Sequence, residues 1–124
     1  MGRKVLIVDD EVTSLRMAEF ILKAHHYQIV TAENGKEALT VAKKELPDVI
    51  LLDIVMPNMD GYEALARLKG DAQTQHIPVL MVTSKEKMDD MERAMTLGAS
   101  GYLVKPITSN PAMLVKKIQN ILGL

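Results

Sequence analysis

The chain has 124 residues, the usual size of one domain, and a chain this long buries about two-thirds of its unfolded surface without staples. Its 15 Lys and Arg against 16 Asp and Glu leave a net charge of −1, which argues against nucleic acid as a main partner and against a polybasic membrane anchor. It has no cysteine, so disulfides, thiolate zinc sites and cysteine nucleophiles are excluded.

At the N-terminus, Arg3 and Lys4 precede an apolar run that Asp9, Asp10 and Glu11 end after four residues, too short for a signal peptide. Gly2 does not fit a myristoylation signal, because position 6 is Leu rather than Ser or Thr. No stretch reaches the roughly 18 apolar residues of a membrane span. The expectation is a soluble, cytoplasmic protein.

The β-branched run at 5–8 predicts a first strand. Thr13 or Ser14 is placed to cap a helix whose inward face is Leu15, Ala18, Ile21 and Leu22. His25 and His26 end that helix, where a cation is favourable. A weaker strand is predicted over 27–31. The helix after it spans 35–46, with Ala38, Leu39, Ala42 and Leu46 on one face, and Pro47 stops it. A third strand covers 49–52. Asn58, Asp60 and Gly61 form a turn before a helix that runs through Leu68. His76 lies in a loop before a fourth strand over 78–82. Met88, Met91, Ala94 and Met95 fit one helical face for core packing, and Gly98 suits the C′ position. A fifth strand covers 102–104. Pro111 opens a last helix carrying Leu114, Val115, Ile118, Ile121 and Leu122.

The pattern is βα repeated five times. Continuous apolar strands are buried on both faces, and helices between them imply right-handed crossovers in a parallel sheet. The fold class is therefore α/β, a three-layer sandwich around a five-stranded parallel sheet. With no linker, repeat or low-complexity stretch, residues 1–124 read as a single domain.

Open parallel sheets place their sites beyond the carboxyl ends of the strands. There stand Asp9, Asp10 and Glu11 after the first strand and Asp53 at the end of the third. Thr83 and Ser84 follow the fourth, and Lys105 and Pro106 the fifth. Taken singly, each has a plain structural reading: a solvated helix start, a turn aspartate, a helix cap, a surface lysine. Together they suit a hard cation, with Asp10 and Asp53 as oxygen ligands for Mg²⁺. Asp53 would sit deepest and attack phosphorus as a carboxylate nucleophile. Lys105 and the metal would balance the charge of the transferring group, and the Thr83 hydroxyl would bond one phosphoryl oxygen.

Four segments carry a family resemblance: VLIVDDE at 5–11, DVILLDIVMPNMDGYE at 48–63, PVLMVTS at 78–84 and GASGYLVKP at 98–106. In this order and spacing they resemble the receiver domain of two-component response regulators, from Val5 to about Leu122. The resemblance implies a flavodoxin-like, doubly wound sheet of order 2-1-3-4-5. It implies that Asp53 is the phosphoacceptor, Asp10 a direct metal ligand and Asp9 a ligand acting through water. It implies a backbone carbonyl to the metal from Val55 and a cis Lys105–Pro106 bond. Thr83 would be the switch hydroxyl, Lys105 the phosphoryl-pairing lysine and Tyr102 the aromatic that turns inward on activation. Mg²⁺ would serve as cofactor, with Mn²⁺ able to replace it.

A histidine kinase or histidine phosphotransfer protein would be the donor, and an unidentified downstream protein would read the face of helix four, strand five and helix five. The chain would be a monomer or a weak dimer through that face, where Lys87, Asp89, Asp90, Glu92 and Arg93 could form exposed pairs. No direct nucleic-acid or membrane contact is expected. Such a chain is not an enzyme, apart from catalysing its own phosphorylation and slow dephosphorylation. Val55 cannot position an attacking water and Lys85 can only donate, so phosphate loss should be slow.

Three other readings stand beside this one. A metal-dependent phosphohydrolase would need an acid where Val55 stands, and a cap domain. A nucleotide or flavin binder would need a Gly-, Ser- or Thr-rich first loop, whereas Asp9-Asp10-Glu11 repels an anion. A receiver that binds its partner without phosphorylation would not need all five site residues.

Overall fold

The computed structural model describes residues 3–56, 59–84 and 91–124. The elements alternate along the chain: β1 Lys4–Val8, α1 Val12–Lys23, β2 Gln28–Ala32, α2 Gly35–Glu45, β3 Val49–Asp53, α3 Gly61–Gly70, β4 Val79–Thr83, α4 Met91–Thr96, β5 Gly101–Val104 and α5 Pro111–Ile121. A 3₁₀ turn at Ile107–Ser109 leads into α5. The strands form one parallel sheet of order β2-β1-β3-β4-β5. This is the predicted α/β sandwich.

The strand sequences explain the layers. Side chains alternate across a sheet, and in β1, β3 and β4 both sets are apolar. Leu6, Val8, Ile50, Leu52, Val79 and Met81 meet Ala38 and Ala42 of α2, Leu65 and Leu68 of α3, and Met91 and Ala94 of α4. On the opposite face Val5, Ile7, Val49, Leu51, Leu80 and Val82 meet Leu15, Ala18 and Leu22 of α1 and Leu114, Val115 and Ile118 of α5. The hydrophobic effect thus closes two cores, one on each side of the sheet. The outer strands β2 and β5 are only partly buried, as their mixed sequences suggest.

Local signals set most boundaries. The Asn34, Asp60 and Asn110 side chains each accept from a backbone N–H three residues on, capping α2, α3 and α5. Gly98 (φ 105°) ends α4; its N–H donates to Met95 O and that of Ala99 to Ala94 O. His26, in the turn after α1, takes the left-handed region (φ 70°).

Three expectations are corrected. Neither Thr13 nor Ser14 caps α1: Glu11 is its N-cap residue, without a side-chain cap bond, and the Ser14 hydroxyl donates to Glu11 Oε1 at 2.7 Å. The reason is Asp9, whose carboxylate accepts from Glu11 N at 2.9 Å and turns the chain into the helix early. Leu46 is 55% exposed rather than inward. It precedes Pro47, which excludes the right-handed helical region, and it takes φ 45°, off the helix register. Met95 is also largely exposed, because the buried stripe runs from Met91 through Ala94 to Leu97, leaving Met95 on its flank. Asn58, Lys85, Lys87, Met88, Asp89 and Asp90 lie outside the described residues.

Candidate functional site

The sheet brings the candidate residues to one edge because the central strands end there together. Asp53 pairs in register with Val82, next to Thr83. Asp9 continues β1, its N–H donating to Ala32 O at 3.1 Å. Lys105 continues β5, its N–H donating to Thr83 O at 2.7 Å, and the Lys105–Pro106 bond is cis.

Asp53 is the buried centre of this edge, 4% exposed. Lys105 Nζ lies 2.9 Å from Asp53 Oδ2 and 3.5 Å from Asp9 Oδ2. The other Asp53 oxygen, Oδ1, accepts a long 3.3 Å bond from Val55 N. Asp9 is buried and Asp10 exposed, and carboxylate oxygens of Asp9, Asp10 and Asp53 all lie within 4.8 Å of one another.

The electrostatics follow from this crowding. Burial raises the Asp53 carboxyl most, the Lys105 ammonium pulls it down and the Asp9 carboxylate raises it, and together they leave it at about 6. For Lys105 the balance is opposite. Burial disfavours its charge, yet Asp53 and Asp9 together hold its pKa above the ordinary lysine value. One ammonium between two buried carboxylates is thus firmly charged, while Asp53 remains only partly compensated.

An open cleft of about 440 Å³ lies above, lined by Asp10, Glu11, Asp53, Val55, Ser84 and Lys105. Ser84, rather than Thr83, is among its lining residues. Thr83 is buried, and its hydroxyl donates to Ser84 O at 3.1 Å. Val55 is exposed at the rim. Tyr102 stands apart on β5, half-buried against the core that α4 covers.

One residue of the site has a role that sequence reasoning missed. Gly61 reads as a turn glycine, but a Cβ there would lie 2.4 Å from Asp53 O and 2.6 Å from Ile54 Cα. Gly61 N donates to Ile54 O at 2.8 Å, so α3 starts directly against the backbone that carries Asp53. The signal was present as a glycine just after the capping Asp60, though only the fold shows what it approaches.

The donor set fits a hard divalent cation: the nearby side-chain donors are oxygens, and their mutual repulsion favours a positive ion. Asp9, Asp10 and Asp53 would hold it. Bound there, Mg²⁺ supplies positive charge against the carboxylates and against an arriving phosphoryl group.

Residues 5–119 match the family model of the response regulator receiver domain. The chain belongs to the response regulator receiver domain family. This receiver domain is 40% identical over 120 residues to protein PilH of Pseudomonas aeruginosa, covering 97% of this chain and 98% of PilH. It is 39% identical to the response regulator PleD of Caulobacter vibrioides, covering 98% of this chain but 26% of PleD, so the chain spans about a quarter of that relative's length. Among solved structures, chemotaxis protein CheY4 of Vibrio cholerae superposes with a TM-score of 0.91 at 36% identity, covering 98% of this chain and 100% of CheY4. The receiver domain of the sensor histidine kinase PA1611 from Pseudomonas aeruginosa matches with a TM-score of 0.89 at 26% identity and full coverage of both chains. That structure holds a magnesium ion in its active-site cleft.

The receiver family is a phosphorylation-activated signalling family that takes its phosphate from histidine kinases, and it is not a class of conventional enzymes. No helix among the described residues is long and apolar enough to cross a membrane.

Proposed function

We propose that Asp53 is the phosphoacceptor of this receiver domain and that residues 1–124 work as one switch. The observation that carries this is the buried Asp53 carboxylate at the end of a central strand, paired with Lys105 at 2.9 Å and crowded by two further aspartates. Lys105 donates to Oδ2, and among the described residues Oδ1 accepts the long bond from Val55 N, so Oδ1 is the oxygen we assign to attack phosphorus. The donor is a phosphohistidine of a kinase or phosphotransfer protein. As the P–O bond to Asp53 forms, the P–N bond breaks, and the donor imidazole, protonated on its other nitrogen, leaves neutral. Lys105 stays charged throughout and balances the growing charge on the phosphoryl oxygens. Such donors are charged from ATP, so the reading carries a cytoplasmic location with it.

Asp10 would ligate the cation directly, Asp9 would act through water and the Val55 carbonyl would add a further oxygen; Mn²⁺ would replace Mg²⁺ there, since it takes the same oxygen donors. After transfer, the Thr83 hydroxyl leaves Ser84 O for a phosphoryl oxygen, and Tyr102 follows it inward. The shift changes the face of α4, β5 and α5, which a downstream protein reads or a second copy contacts weakly. The domain loses its phosphate slowly by its own hydrolysis, since Val55 offers no polar group to the attacking water.

The test is incubation with Mg²⁺ and acetyl phosphate or beryllofluoride, read by intact mass and NMR beside Asp53→Ala. The expected result is a Mg²⁺-dependent adduct with shifts reaching Tyr102, both absent in the variant. Folded protein that gives neither sinks the proposal.

A further inference from the structure

Tyr102 sits on β5, the edge strand of the sheet. Peptide groups of an edge strand alternate between the neighbouring strand and the open side. Lys105 N turns toward Thr83 O, and the alternation turns the Tyr102 carbonyl away from β4. Lys117 of α5 meets it there: its Nζ donates to Tyr102 O at 2.8 Å. The same ammonium lies 4.9 Å from the centroid of the Tyr102 ring. Lys117 is half-buried and forms no salt bridge among the described residues. A carbonyl and an aromatic face thus take the place of a carboxylate partner. On the same side a groove of about 220 Å³ opens between Tyr102, Pro106, Asn110, Met113 and Lys117.

We propose that Lys117 is a positioning residue for Tyr102, holding the ring in its resting orientation from α5 and thereby setting how readily the phosphoryl site switches. This rests on the reading of Tyr102 as the switching aromatic. The two contacts divide the work. The bond to the backbone carbonyl survives any side-chain rotation and keeps the ammonium in place. The cation–π contact belongs to one ring orientation and is lost when the ring turns inward. Only the second contact discriminates between the two states, and only a differential contact shifts an equilibrium. Lys117 therefore opposes activation, and any partner that draws its ammonium away from the ring favours it.

The experiment compares wild type, Lys117→Met and Lys117→Arg, each also in a Tyr102→Leu background. Met keeps an unbranched stem and loses the charge; Arg keeps a cation and donors. Beryllofluoride is titrated at saturating Mg²⁺, and Tyr102 χ1 populations are taken from three-bond NMR couplings without ligand. Lys117→Met should lower the beryllofluoride midpoint by about two- to fivefold, the size of an exposed cation–π contact. It should also shift the χ1 populations, whereas Lys117→Arg should do neither. In the Tyr102→Leu background the effect of Lys117→Met should vanish. An unchanged or raised midpoint, or a shift that persists without the ring, overturns the proposal. A wild type that ignores beryllofluoride refutes the Asp53 reading instead, and the χ1 populations then decide: equal values in wild type and Lys117→Met overturn the positioning role.

Discussion

Replacing Asp53 by Asn removes a buried charge that the metal-free fold compensates poorly, and the consequence is a stability that depends on pH. Burial raises the carboxyl from 3.8 to about 6. A shift of about two units at about 1.4 kcal/mol each corresponds to about 3 kcal/mol. At 4% exposure Asp53 leaves little room for solvent to screen this. Because the folded state holds the proton more tightly than the unfolded chain, the protonated acid contributes its full stability below pH 3.8, and the contribution disappears as pH rises through about 6. Lys105, shifted above the ordinary lysine value, stays charged across this window and adds no slope.

Urea unfolding in EDTA, for wild type and Asp53→Asn side by side, isolates the effect. Between about pH 4 and 7 the wild type should lose most of this, about 2 kcal/mol, relative to the variant. That is a large part of the 5–15 kcal/mol or so that holds a small domain together. Mg²⁺ at about a hundred times its Kd should restore about 2.7 kcal/mol to the wild type at neutral pH and much less to Asp53→Asn. A wild type that keeps pace with Asp53→Asn across the window, or gains on it as pH rises, refutes the reasoning.

Other outcomes test separate parts of the structure. Lys105→Met removes the ammonium at 2.9 Å, so the pH midpoint of that stability difference should move above about 6; an unmoved midpoint means the pair is electrostatically idle. Gly61→Ala forces a Cβ to within 2.4 Å of Asp53 O, a backbone atom, and should cost about 3 kcal/mol in urea melts together with weaker Mg²⁺ binding. Leu46→Gly relieves a left-handed residue whose side chain is mostly exposed and should add about 0.5 kcal/mol, the relief of strain less the extra freedom of the unfolded chain. Val55→Asn should shorten the life of the phosphorylated protein, measured by intact mass after the donor is removed; an equal or longer life contradicts the explanation of slow loss from Val55.

The amino-acid order alone determined the alternation of strands and helices, the burial of the sheet on both faces, and the gathering of Asp9, Asp10, Asp53 and Lys105 at one edge. These are local or periodic properties. An apolar run of four or five residues buries both faces wherever it lies, and a parallel βα repeat sends every strand's carboxyl end to the same side. The misses have a different origin. Leu46 fits the apolar period of α2, yet the backbone demand of Pro47 outweighs it. Met95 fits the period of α4, but that helix buries a stripe too narrow to include it. Glu11, not Thr13 or Ser14, starts α1, because the carboxylate of Asp9 takes the Glu11 amide first. The raised pKa of Asp53, the approach of Gly61 to its backbone and the grip of Lys117 on Tyr102 all required the tertiary structure. Each depends on how closely separate elements pack, and an interaction that changes within a few ångströms is set by that distance rather than by residue type.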